Sequence, residues 1–321
     1  MASFRLKFED GLRRRGVAVT HRPDDPADAI LIIGGTRRLL PLWRARQRGT
    51  RILQRLDGIN WVQRVRWSGL RYTVRAEYGN ALLAFTRARL ANRVVYQSAF
   101  IRQWWQDWYG PAPVPGQVIH NGVDLQAFAP GARRPGRPER YRLLVVEGSL
   151  AGGLDTGLKA AIRLAELLAE AFPVELTVAG TVGERARARL EKSARVPVAF
   201  LGVVARDRIP EIMRGAHLLF SAEINPPCPN SVIESLACGT PVVGFDTGSL
   251  SELVAGDAGR LVPYGGDPWK LHPPDVPALA SAASEILDEP DRFRGAARAR
   301  AEALFAVDTM VDAYMRAALE D

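Results

Sequence analysis

Apolar residues along this chain follow two periods that take turns. Phe4, Phe8 and Leu12 recur at helical spacing across residues 4–15 and stop at Gly16. Residues 17–20 then read as a short strand and 29–33 (AILII) as a buried one ending at Gly34 and Gly35, followed by a helix over 39–47. The strand 51–56 (RILQRL) stops at Asp57 and Gly58. A long helix over 70–92, a strand over 93–97, a helix over 99–108 and a strand over 117–119 complete the first half. Ile101, Trp104, Trp105 and Trp108 form an aromatic stripe on the last of these helices, which suits a core better than a ligand platform. Residues 129–140 (APGARRPGRPER) have the proline, glycine and arginine content of an exposed boundary. The alternation then restarts, with strands at 143–146, 174–179, 198–201 and 218–221 and helices at 157–171, 185–192 and 209–215. Helices over 276–286, 292–305 and 308–319 close the chain. Such a βα rhythm predicts parallel sheets with helices on both faces, in two domains, 1–125 and 126–321.

The stretch 222–254 (AEINPPCPNSVIESLACGTPVVGFDTGSLSELV) concentrates the candidate chemistry. Ser231 and Glu234 have the spacing of a capping box at the mouth of a short helix, whose N–H groups and dipole favour a polar or anionic ligand. Gly239 suits the end of that helix, and residues 241–245 read as a buried parallel strand. After the turn residues Asp246, Thr247 and Gly248, Ser249 and Glu252 repeat the box. Two helix mouths beside one strand end outline a crevice with Asn225, Asn230, Ser231, Glu234, Thr247 and Gly248 as candidate ligands. For Glu234 a second reading stays open, since a box glutamate is accounted for by its own helix's backbone N–H.

Composition narrows the classes. The 321 residues, 47% hydrophobic and 24% charged, suffice for two ordinary cores. Cys228 and Cys238 make neither a disulfide framework nor a metal motif, and they read as small buried residues. No run approaches the roughly 18 apolar residues of a membrane span, and the N-terminus lacks a signal-peptide core, so a cytoplasmic protein is expected. The net charge of +8 is uneven: residues 1–125 hold 21 Lys and Arg against 9 Asp and Glu, and six of the seven tryptophans. An anionic membrane surface or an acidic acceptor fits that half, as do solvated arginine faces. No nucleic-acid-binding motif accompanies the charge.

The segment PNSVIESLACGTPVVGFDTGSLSELV is similar to the donor-site signature of glycosyltransferase family 4, and weaker echoes extend over about residues 50 to 320. The resemblance implies the GT-B architecture: two Rossmann-like, doubly wound α/β domains facing a cleft. It also implies a nucleotide-sugar held as substrate by the C-terminal domain and a glycan or lipid-linked acceptor against the N-terminal one. Transfer to a hydroxyl would proceed with retention, with neither cofactor nor metal, in the cytoplasm or peripherally at the inner membrane face. The family has two glutamates eight positions apart, the first on the donor sugar and the second on the ribose. Glu234 matches the second, whereas Pro226 occupies the first, with Asn225 and Glu223 nearby to compensate. Asp57 is the candidate catalytic residue, near the point where the family often has a histidine on the donor sugar. HNGVD, 120–124, resembles the strand-end turn before the inter-domain linker, with His120 structural.

An arginine and a lysine usually neutralise the donor diphosphate after the first strand of the donor domain. This chain has Glu147 to Gly153 there, leaving Gly148 and Ser149 as candidate backbone contacts and Lys159 or Arg206 as substitutes. The last helix is expected to cross back to the N-terminal domain, whose usual first strand and Gly-rich loop are expected to be missing. A non-catalytic nucleotide-sugar-binding or partner-binding homologue is the alternative, ahead of a GT-B epimerase or phosphorylase.

Overall fold

The computed structural model describes residues 2–22, 24–132, 138–149 and 156–320. Met1–Gly122 and Val307–Asp321 form one compact unit and Val123–Ala306 a second. The first unit runs α1 (Ala2–Arg14), β1 (Ala29–Ile33), α2 (Leu39–Gln47), β2 (Arg51–Leu56), α3 (Val62–Val65), α4 (Leu70–Phe85), β3 (Arg93–Tyr96), α5 (Ala99–Tyr109) and β4 (Gly116–Val118). The second begins with β5 (Tyr141–Ser149), α6 (Thr156–Leu168), β6 (Val174–Thr181), α7 (Glu184–Ser193), β7 (Val198–Gly202) and α8 (Ile209–Gly215). It continues with β8 (Leu218–Phe220), α9 (Asn230–Ala237), β9 (Val242–Phe245), α10 (Leu250–Leu253), β10 (Gly259–Val262), α11 (Val276–Asp288) and α12 (Pro290–Leu304). Helix α13 (Val307–Leu319) belongs to the first unit again.

The first unit's sheet is parallel in the order β1-β2-β3-β4, without reversal. Strand alternation divides its side chains between two cores. Ile32 and Ile52 pack with Leu42 of α2 and Leu90 on one face. Leu53 and Val95 pack on the other with Phe4 of α1 and Met310, Val311 and Tyr314 of α13. The expected strand at 17–20 is absent. Gly16 is left-handed at φ 73°, and Gly16 and Val17 donate back to Arg13 and Leu12, so their N–H groups close α1 rather than join a sheet. The long helix expected over 70–92 changes pitch at Thr86, whose hydroxyl bonds the Leu82 carbonyl at 2.8 Å, and ends in a π-helical turn, Thr86–Leu90.

The second unit's sheet is parallel in the order β10-β9-β8-β5-β6-β7. Chain direction across the sheet reverses between β5 and β8, the doubly wound pattern. Leu143 and Val145 of β5 join α6 and α11 in one core, while Leu144 joins α9 and α12 in the other. These two parallel α/β units are the fold class that the sequence predicts.

One close approach positions the reversal. A Cβ on Gly157 in the first turn of α6 would overlap the carbonyl oxygen of Ala222, just past β8. Gly157→Ala is therefore expected to cost about 1–3 kcal/mol in urea unfolding, and an unchanged midpoint would show that α6 does not seat against β8.

Candidate functional site

In the second unit the loop after β8 and the turn after β9 are clasped together. Asn225 is left-handed at φ 53° and only 4% exposed, which places Pro226 against the turn. Gly248, at φ 61°, leaves no room for a side chain beside the Pro226 backbone, and the Ser249 N–H donates to the Pro226 carbonyl at 2.9 Å. Asn225, Thr247 and Gly248 are thus brought together with Pro226. Three polar atoms of these segments, Ser221 Oγ, Asn225 Nδ2 and Ser249 Oγ, are buried without a hydrogen-bond partner among the described residues. Each such atom costs about 1–3 kcal/mol when left unsatisfied, so a ligand oxygen placed among them offsets that cost.

Neither S-x-x-E pair makes a capping box. Helix α9 starts two residues earlier than the spacing suggests, with Pro229 at its N-cap and no side-chain cap, so Ser231 lies inside the first turn. The buried Glu234 carboxylate instead accepts from Arg206 Nη2 at 3.1 Å, a charge-assisted bond stronger than a neutral cap. Asn230 is the first residue of α9. Ser249 does sit at the N-cap of α10, but its hydroxyl is one of the three unpartnered atoms, and the Glu252 N–H takes the Ser249 carbonyl instead.

Gly148 and Ser149 end β5, where the register against β6 shifts between Val146 and Ser149. The rest of the expected phosphate turn, 150–153, lies outside the described residues. Just before it, the Glu147 carboxyl is pushed up to about 8 by burial and then by the negative charge of Glu223, and its Oε1 is buried without a partner among the described residues. Lys159 is exposed in the first turn of α6, and Arg206 is engaged by Glu234. Burial also pushes the Cys238 thiol up to about 12, and both cysteines are buried free thiols.

In the first unit Asp57 follows β2. Its backbone carbonyl accepts from the Trp105 indole N–H at 2.9 Å, and burial raises its carboxyl above the ordinary range against the pull of Arg55. Trp104 and Trp105 of the aromatic stripe are buried, as core residues should be. Beside Asp57 is a network that the sequence reading missed. Arg55, 3% exposed, lies with its guanidinium 4.0 Å over the Phe4 ring and donates to Asn121 Oδ1 at 2.7 Å, and Asn121 in turn donates to Gln97 at 3.3 Å. It joins the ends of β2 and β3 to the segment after β4. The local signal is the adjacent Gln54 and Arg55 between the apolar Leu53 and Leu56.

A family model described as "Glycosyl transferases group 1" matches residues 142–289. The D-inositol 3-phosphate glycosyltransferase of Geodermatophilus obscurus is 30% identical over 298 residues, 82% of this chain and 64% of that protein. A GDP-mannose-dependent alpha-(1-6)-phosphatidylinositol dimannoside mannosyltransferase of Mycobacterium tuberculosis is 29% identical over 189 residues, 56% of this chain and 46% of that one. The chain therefore spans less than two thirds of these relatives. Among solved structures, Anabaena HepE in complex with UDP-glucose aligns with a TM-score of 0.65 at 19% identity, over 89% of this chain and 78% of that one.

Proposed function

We propose, from the match of residues 142–289 to the group 1 glycosyl transferases, that this chain moves a sugar from a nucleotide-sugar donor to an acceptor hydroxyl, with retention and without a metal ion. The second unit holds the donor. Glu234, fixed by Arg206, accepts from the ribose hydroxyls. Asn225, Asn230, Ser231, Thr247 and Gly248 supply further polar contacts. Gly148 and Ser149 lie beside the diphosphate, where Glu147, neutral below about pH 8, presents an O–H in place of a basic pair. Asp57 of the first unit is the catalytic carboxyl. The acceptor is a glycan or lipid-linked alcohol, as the activities of the relatives suggest, at the inner, cytoplasmic face of an anionic membrane. What carries this reading is the set of unpartnered polar atoms after β8 and β9, at the sheet edge where doubly wound folds take their ligands.

A non-catalytic nucleotide-sugar-binding protein is the second reading, favoured by Pro226 and Glu147 at positions where the enzymes carry charged contacts. A thermal-shift screen of UDP- and GDP-sugars, followed by turnover on the hits, separates the two. Stabilisation with slow donor hydrolysis and a product of unchanged anomeric configuration is expected. Binding without turnover leaves the second reading, and a screen without hits removes both.

A further inference from the structure

The first unit carries an apolar surface that nothing among the described residues covers. Nine of the 14 large hydrophobic residues exposed among the described residues fall within positions 40–85. On α4, Leu70, Val74, Tyr78 and Phe85, between 46% and 68% exposed, recur at helical spacing and share one stripe about 22 Å long. The buried Ala76, Asn80 and Leu83 occupy the opposite face, so α4 is apolar both inward and outward. Trp67, 72% exposed, and Val65 precede it, and Arg37 lies 5.7 Å over the Tyr78 ring.

Charge selects the occupant. Residues 37–89 contain 13 arginines and only two acids, Asp57 and Glu77, and Glu77 is occupied by Arg64 at 2.7 Å. Arg66, Arg71 and Arg75 are exposed beside the stripe. A second copy of the chain would bring the same positive face against itself. None of the described helices is long and apolar enough to cross a membrane, so contact with lipid is in the plane of the surface.

We propose that α4 and the segment before it dock this chain on an anionic bilayer, the Leu70, Val74, Tyr78 and Phe85 stripe entering the headgroup layer and the flanking arginines pairing with lipid phosphates. This docking deepens the peripheral placement proposed above and does not depend on turnover, so it is measured without donor or acceptor. Each arginine near an anionic surface strengthens binding about fivefold at low salt, whereas the stripe adds a part that salt does not screen.

The test is sedimentation of the full chain with phosphatidylcholine vesicles containing or lacking about one third phosphatidylglycerol. At least tenfold tighter binding to the anionic vesicles is expected, with a blue shift of tryptophan emission that Trp67→Phe reduces. Leu70→Asp with Val74→Asp is expected to lower binding at least tenfold at both low and 0.5 M salt, because burial of the apolar stripe is not screened as the arginine contacts are, with the unfolding midpoint unchanged. Arg71→Gln with Arg75→Gln is expected to lower it at low salt only. Equal binding to both vesicles, binding to neither, or a double-aspartate variant that binds like the parent would overturn the proposal. So would a solution dimer dissolved by the same aspartates, since that outcome assigns the stripe to a second copy.

Discussion

Glu234→Gln is expected to weaken nucleotide-sugar binding by roughly ten- to a hundredfold, about 1.5–3 kcal/mol, in calorimetric titration. The carboxylate is buried and held by Arg206 at 3.1 Å, so its position is fixed before a ligand arrives. Glutamine keeps the size of the side chain and an oxygen that can accept from Arg206, and loses only the charge that makes a strong acceptor for ribose hydroxyls. The unfolding midpoint should shift little, because Arg206 is half exposed and can return to water. Pro226 has no side-chain acceptor for the sugar, so the free nucleoside diphosphate should compete nearly as well as the whole donor. If Glu234 served only to anchor Arg206, the substitution would leave affinity intact. A donor bound far more tightly than its nucleoside diphosphate would place the recognition in other residues.

The second expected result is a stability that falls as pH rises through the range set by Glu147. An unfolded glutamate releases its proton near 4.3, whereas the folded carboxyl holds it up to about 8, chiefly because the charged form is desolvated. Between those values the native state binds the extra proton, so the contribution is complete below about pH 4.5 and is lost as pH climbs to 8. A salt-bridged carboxylate gives the opposite slope. The loss is at most about 5 kcal/mol and smaller to the extent that Glu223 shares the proton. Urea unfolding of Glu147→Gln should match the parent at pH 5 and exceed it at pH 9, and parallel pH profiles would remove the assignment. Because the same carboxyl sits at the proposed diphosphate turn, donor affinity should decline as pH rises through about 8 in the parent and not in the variant.

The two proteins' worth of βα rhythm was legible because apolar periodicity and glycine breakers act locally. β1, α2, β2 and α8 follow their sequence patterns residue for residue. Short elements without such patterns, α3 and β10, are not visible in it, and the π-helical turn depends on where Thr86 directs its hydroxyl. The capping boxes failed for a different reason. Spacing identifies a residue able to cap, but it does not reveal a distant competitor such as Arg206 for Glu234. The clasp of Pro226 against Gly248 and the Arg55, Asn121 and Gln97 network are likewise contacts between residues far apart in sequence. Candidate residues were therefore readable one by one, and their partners were not.

Helix α13 joins α1 and the first unit's sheet in one hydrophobic core: Met310, Val311, Tyr314 and Ala317 cover Leu53 and Val95 together with Phe4. During synthesis the strands of the first unit emerge long before this cover exists, and residues 123–306 must be translated in between. One face of the first unit's sheet is left to solvent or to chaperones for that interval. The second unit, contiguous in the chain, has no such delay, so the portion made later is the one able to finish folding first.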